Sequence, residues 1–143
     1  MRFSTRISFF LALLWFLIGC ADSKQPAGPD TGIPIFNLEA DPSVIAPLQN
    51  TMLSLTPVLP LEFEELDGEE VLFSALPDSG AFFVNSWSWI DLDAATNLFP
   101  EVWYQYTGFG TPDTMKVAIF AHVVSQTEDT LAWDSCLVSV ISD

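Results

Sequence analysis

Residues 115–126 limit what this chain can become. Val117, Ile119, Ala121 and Val123 fall on every second position, and Lys116, Ala118, Phe120, His122 and Val124 fill the alternate ones. A period of two held over this length specifies a strand with two distinct faces. The polar stretch 127–130 turns the chain, and residues 131–141 return as a second strand. Strand, turn and strand succeed one another in the same way through residues 61–107, with no long helix between them. Parallel neighbours need long crossovers, so this order favours antiparallel pairing. The expected fold is mainly β: a small antiparallel β-sheet or sandwich with one short N-terminal helix. An α+β arrangement is the alternative.

That helix is expected over residues 42–55, with an extended, Pro-punctuated segment as the rival. Asp41 stands at the N-cap and Pro42 at the first helical position. Val44, Ile45, Leu48, Met52 and Leu55 follow at three- and four-residue spacings, and Pro57 and Pro60 end the pattern. A short strand is expected before it, over 33–39. From Leu61 the period changes to two, and Asp67-Gly68 reads as a hairpin turn whose central positions need positive φ, with residues 69–76 returning. Residues 81–91 read as one aromatic strand, with Phe83, Asn85, Trp87 and Trp89 on one face. Asp93 caps a helical turn that Pro100 stops, and residues 102–107 form a strand by propensity.

The N-terminus is of another character. Arg2 and Arg6 precede an apolar run over 7–18, and small residues flank Cys20. This is the layout of a secretory signal, and the run is short for a membrane-spanning helix, which takes about 20 apolar residues. Leu17-Ile18-Gly19-Cys20 resembles the lipobox of bacterial lipoproteins, although a smaller residue than Ile18 is commoner at that position. The resemblance covers only these first twenty or so residues. It implies removal of residues 1–19, lipidation of Cys20, and a location in the bacterial cell envelope. Two or three acyl chains give a stable anchor, whereas one is marginal. Ala21 rather than Asp follows the cysteine, which by the same resemblance favours the outer membrane over the inner. Residues 20–32, small and rich in Pro and Gly, read as the lipidated cysteine and a flexible tether. Residues 33–143 read as a single β-rich domain.

Without residues 1–19 the chain keeps two lysines, Lys24 and Lys116, against nineteen Asp and Glu, a net charge of −17. Such a field repels phosphate, so nucleic acid is not an expected partner. It repels anionic head groups too, which leaves the lipid as the means of attachment. Glu62, Glu64, Glu65, Asp67, Glu69 and Glu70 cluster around the expected hairpin. Glu62, Glu64, Asp67 and Glu69 are the residues that would ligate a cation there. Their spacing is not that of a calcium loop, and a solvated acidic tip is the preferred reading.

No nucleophile–base motif is present, and His122 is the one histidine. With Cys20 lipidated, Cys136 has no partner for a disulfide and reads as a small buried hydrophobe. A cross-strand pair of His122 with Cys136 is conceivable, but the turn at 127–130 places His122 nearer Asp134 or Ser135. No enzyme activity and no cofactor are expected. Trp87, Trp89, Trp103, Tyr104 and Tyr106 are the candidate ligand-binding residues, since aromatic rows can stack on sugar rings or grip a peptide. The leading expectation is a membrane-anchored, non-enzymatic envelope lipoprotein with a structural or protein-interaction role. A glycan or small-ligand binding module using the aromatic strand is the alternative. Exposure of the Trp87/Trp89 face favours the second; burial favours a packed scaffold.

Overall fold

A computed structural model describes residues 33–108 and 114–142. The elements run β1 (Phe36–Asp41), β2 (Val44–Ile45), β3 (Asn50–Pro57), α1 (Pro60–Glu64), β4 (Glu70–Leu76), β5 (Ala81–Val84), β6 (Trp87–Ile90), β7 (Leu98–Phe99), β8 (Val102–Tyr106), β9 (Thr114–Val124) and β10 (Thr130–Ile141). Four strands form one sheet in the order β1-β3-β8-β5, and six form another in the order β2-β10-β9-β4-β6-β7. The fold is mainly β, and its pairs are antiparallel except for the short parallel pair of β2 with β10.

The inner faces of the two sheets make the core of a β-sandwich. Phe36, Leu53 and Tyr104 from the four-stranded sheet meet Val71, Ile119 and Val138 from the six-stranded one. The alternation in β9 sets this layer: Val117, Ile119, Ala121 and Val123 are all fully buried. Each large apolar side chain taken from water here contributes about 1.5–3 kcal/mol. The open edge beside β1 is closed by Asp134, whose Oδ2 accepts a hydrogen bond from the Leu38 amide at 2.7 Å. A carboxylate from β10 thereby satisfies a backbone donor of the other sheet.

The helix expected over 42–55 does not form. Residues 44–45 join the six-stranded sheet as β2, the chain turns with Leu48 at φ 67°, and residues 50–57 become β3. Thr51, Leu53 and Leu55 are buried on one side of β3, a period-two set that shares only Leu55 with the helical spacing. Pro47 would have removed a hydrogen bond from a helix interior, whereas β3 gains ladders with both β1 and β8. The one helix among the described residues is α1, in the stretch expected to be the first arm of an acidic hairpin. Pro60 suits its first turn. Phe63 and Leu66, three apart, both face the core, and Phe63 meets Phe36 edge-on at 6.2 Å. Leu61, which a period of two would place on the same face as Phe63, is left exposed.

The aromatic stretch 81–91 is two strands rather than one. Asn85, at φ 57°, breaks it, and the chain passes from the four-stranded sheet to the six-stranded one. Asparagine tolerates this left-handed conformation, and its Nδ2 donates to the Glu101 carbonyl at 2.7 Å. Phe83 therefore turns into the core, while Trp87 and Trp89 turn out from the opposite sheet. The helical turn expected from Asp93 is a series of turns ending in β7. Asp91 Oδ1 accepts from the Asp93 amide at 3.0 Å, and Asn97 Nδ2 donates to the Leu55 carbonyl at 2.7 Å. The expectations for residues 1–19, for Cys20 and for the tether 20–32 lie outside the described residues.

Candidate aromatic binding face

The outer surface of the six-stranded sheet carries side chains that a solvated surface rarely places together. On β6, Trp87 is 58% exposed and Trp89 40%, so the face is open. Cross-strand register sets Trp87 opposite Leu72, Leu72 opposite His122 and His122 opposite Trp133. The row Trp133–His122–Leu72–Trp87 crosses four strands and, at about 4.8 Å per strand, spans roughly 15 Å. A second row sets Val124, Glu70, Trp89 and Phe99 side by side, with the Trp89 and Phe99 rings edge-on at 5.4 Å. Leu76 and Leu137, exposed, flank Ala118 further along the same face.

A groove of about 740 Å³ lies in this surface, walled by Leu72, Trp87, His122 and Val124 and edged by Glu70 and Glu128. That volume is within the range of ligand sites, about 300–1,000 Å³. Its lip is the turn between β9 and β10. Ser125 N–H donates to the Asp129 carbonyl at 2.9 Å, the Thr127 hydroxyl donates to Asp129 Oδ2 at 2.8 Å, and Glu128 is held at φ 64°. The carboxylate of Glu128 thus stands on a stiffened loop.

His122 forms part of the floor. Its ring is stacked between Phe120 at 6.4 Å and Trp133 at 6.3 Å. Burial among these rings lowers its pKa, so the imidazole is neutral at pH 7. The turn falls earlier than residues 127–130 suggest: Ser125 bonds Asp129 and Val124 pairs with Thr130, so that, even after the register shift between Thr130 and Ala132, His122 faces Trp133 rather than the Asp134 or Ser135 that counting from the turn points to. Cys136 stands opposite Ile119, on the inner side of the sheet, so no His122–Cys136 pair exists. Burial, and then the nearby Asp134 carboxylate, push the Cys136 thiol up to about 12. It stays protonated and is a poor nucleophile.

The five aromatic candidates do not form one platform. Trp87 and Trp89 belong to the six-stranded sheet, whereas Trp103, Tyr104 and Tyr106 lie on β8 of the other. Trp103 is half-buried; Tyr104 and Tyr106 are buried. Tyr104 packs on Phe83 at 5.2 Å, and its hydroxyl has no hydrogen-bond partner among the described residues. Burial, with a smaller contribution from Tyr106, raises its pKa to about 12. The residues that do accompany Trp87 are His122, Leu72, Val124 and Trp133. The alternate face of residues 115–126 signalled two of them, but only the register shows which strands lie beside it.

The acidic cluster is likewise redistributed. Glu62 and Glu64 ride on α1, Asp67 sits in the following turn, and Glu69 immediately precedes β4. Gly68 has the positive φ expected of the turn, at 82°, but Asp67 does not, so the expected hairpin turn is not formed, and Asp67 Oδ1 accepts from the Leu92 amide at 3.2 Å. Among the described residues no group of three or more His, Cys, Asp or Glu is placed to hold a metal ion. No helix among them is long and apolar enough to cross a membrane.

No family model matches the chain, and no curated protein matches it. Among solved structures, it is similar to WR4, a C. elegans MSP family member, with a TM-score of 0.43 and 12% identity over 74% of this chain and 97% of that one.

Proposed function

We propose that this chain is a lipid-anchored, non-enzymatic binding module of the bacterial cell envelope, which holds its ligand on the outer face of the six-stranded sheet. The observation that carries the reading is the exposure of Trp87 and Trp89 beside the Leu72–His122 groove. A packed scaffold has no need to leave two neighbouring indoles in water, and large exposed apolar patches mark interaction sites. The protonated thiol of Cys136 and the ring-bound position of His122 support a role without nucleophilic catalysis. Anchoring rests on the lipobox resemblance at Cys20 and on the acidity that denies the domain an electrostatic hold on anionic lipid.

Calorimetric titration of the chain in phosphatidylcholine nanodiscs, with soluble envelope oligosaccharides and with peptides, tests the face. Binding should be lost in a Trp87→Ala/Trp89→Ala double variant. Ligands that bind that variant undiminished would place the site elsewhere. The anchor is checked separately by mass spectrometry of the mature N-terminus: a thioether-linked diacylglycerol on Cys20 is expected, and a free thiol there removes the anchor.

A further inference from the structure

We infer that the occupant of this groove is a basic peptide segment of a partner protein, extended across the strands, with an Arg or Lys side chain over Trp87 and between Glu70 and Glu128. The inference rests on the binding-face reading above and adds the chemistry of the ligand.

Charge complementarity selects the class. The two charged side chains edging the groove are both carboxylates. The one Lys or Arg among the described residues is Lys116, on the same face but six residues along β9 from His122, about 20 Å at ~3.4 Å per residue. No cation of the described residues neutralises Glu70 or Glu128, and neutral His122 supplies none at pH 7. A guanidinium or ammonium group meets two attractions here at once: the negative π face of Trp87 and the flanking carboxylates. Phosphate, anionic lipid and nucleic acid meet repulsion. So does a second copy of this chain, which would set carboxylate against carboxylate across a face of the same sign.

Shape selects a peptide. The apolar surface does not end at the groove; the row from Trp133 to Trp87 crosses four strands, and Phe99 extends the next row by one more. A length of roughly 15–20 Å matches about five extended residues at ~3.3 Å each. Alternating side chains of such a segment would set apolar groups on Leu72 and Val124 and cationic groups toward the rim. The net charge, −15 for the whole chain and −17 without residues 1–19, adds long-range steering of a basic partner.

The test uses the full chain in phosphatidylcholine nanodiscs and a hexapeptide of alternating Arg and Leu, with its citrulline analogue as the uncharged isostere. Calorimetry should give saturable binding of the Arg peptide, with the citrulline peptide at least about tenfold weaker. Trp87→Ala and the pair Glu70→Gln/Glu128→Gln should each weaken the Arg peptide by about tenfold or more. Glu62→Gln/Glu64→Gln removes the same charge from α1, away from the groove, and should leave affinity within about twofold. Equal loss in the α1 pair would mean attraction to the overall field and overturns the inference. Equal binding of the citrulline peptide, or of a neutral oligosaccharide, that is lost in Trp87→Ala overturns it while leaving the binding face standing. No Trp87-dependent binding of any of these probes overturns both.

Discussion

Tyr104 carries the clearest energetic anomaly of any single side chain. Its hydroxyl is buried with no partner among the described residues, so the phenol bears a desolvation cost that nothing repays. Tyr104→Phe should therefore raise stability, by about 1 kcal/mol in urea denaturation, rather than lower it. The same variant should leave ligand binding unchanged, since Tyr104 is far from water on the inner side of β8. Cys136 offers a second check. With its pKa pushed up to about 12, the thiol should resist Ellman's reagent at pH 8 in the native protein and react fully once the chain is unfolded. His122 gives stability a pH dependence of known sign. Its folded pKa lies below the unfolded value, so the unfolded state takes up more protons as pH falls below about 6.5. Its contribution is intact above that value and is lost on acidification. In thermal melts across this window, His122→Gln should flatten the slope.

Between elements, a hydrogen bond from the Leu38 amide to the Asp134 side chain helps tie β1, at the edge of the four-stranded sheet, to β10. Asp134→Ala leaves the Leu38 amide unpaired and should cost about 2 kcal/mol by chemical denaturation, with Asp134→Asn losing less because an amide oxygen can still accept. It is also at this scale that sequence and structure part company. β8, β9 and β10 were legible because their alternation or propensity had no rival, and β4 because a turn residue marked its start. The stretch 42–55 fits a helical spacing and, through Thr51, Leu53 and Leu55, a strand spacing as well; long-range ladders to β1 and β8 decided it. Residues 61–66 held the opposite ambiguity, since Leu61, Phe63 and Leu66 satisfy a short strand or a turn of helix. The break at Asn85 was hidden in a continuous aromatic run. For that reason Trp87 and Trp89 were legible as candidates, but their separation from Tyr104 and Tyr106 was not. Neighbours such as Leu72 and Trp133 are set by cross-strand register, which no local pattern encodes.

Taken whole, the molecule has two unlike outer surfaces. The four-stranded sheet shows water Asn37, Glu39, Ser54 and Gln105 together with Phe82, Val84 and Trp103 at its β5–β8 side, whereas the six-stranded sheet shows a broader run of aromatics and leucines. Its charges nearly all share one sign, so mutual repulsion opposes compaction. Added NaCl should raise the melting temperature steadily from low ionic strength as screening shortens that repulsion, and an unchanged melting temperature across the titration would show the charges to be too dispersed to matter. One topological fact bears on how such a chain comes into being. β10, last in order of the described strands, lies inside the six-stranded sheet between β9 and β2. A polypeptide delivered from its amino end cannot complete that sheet until β10 has emerged. Until β10 is present, β9 lacks its longest partner and β2 the one partner it has among the described residues, so the outer half of this sheet closes as a single late event.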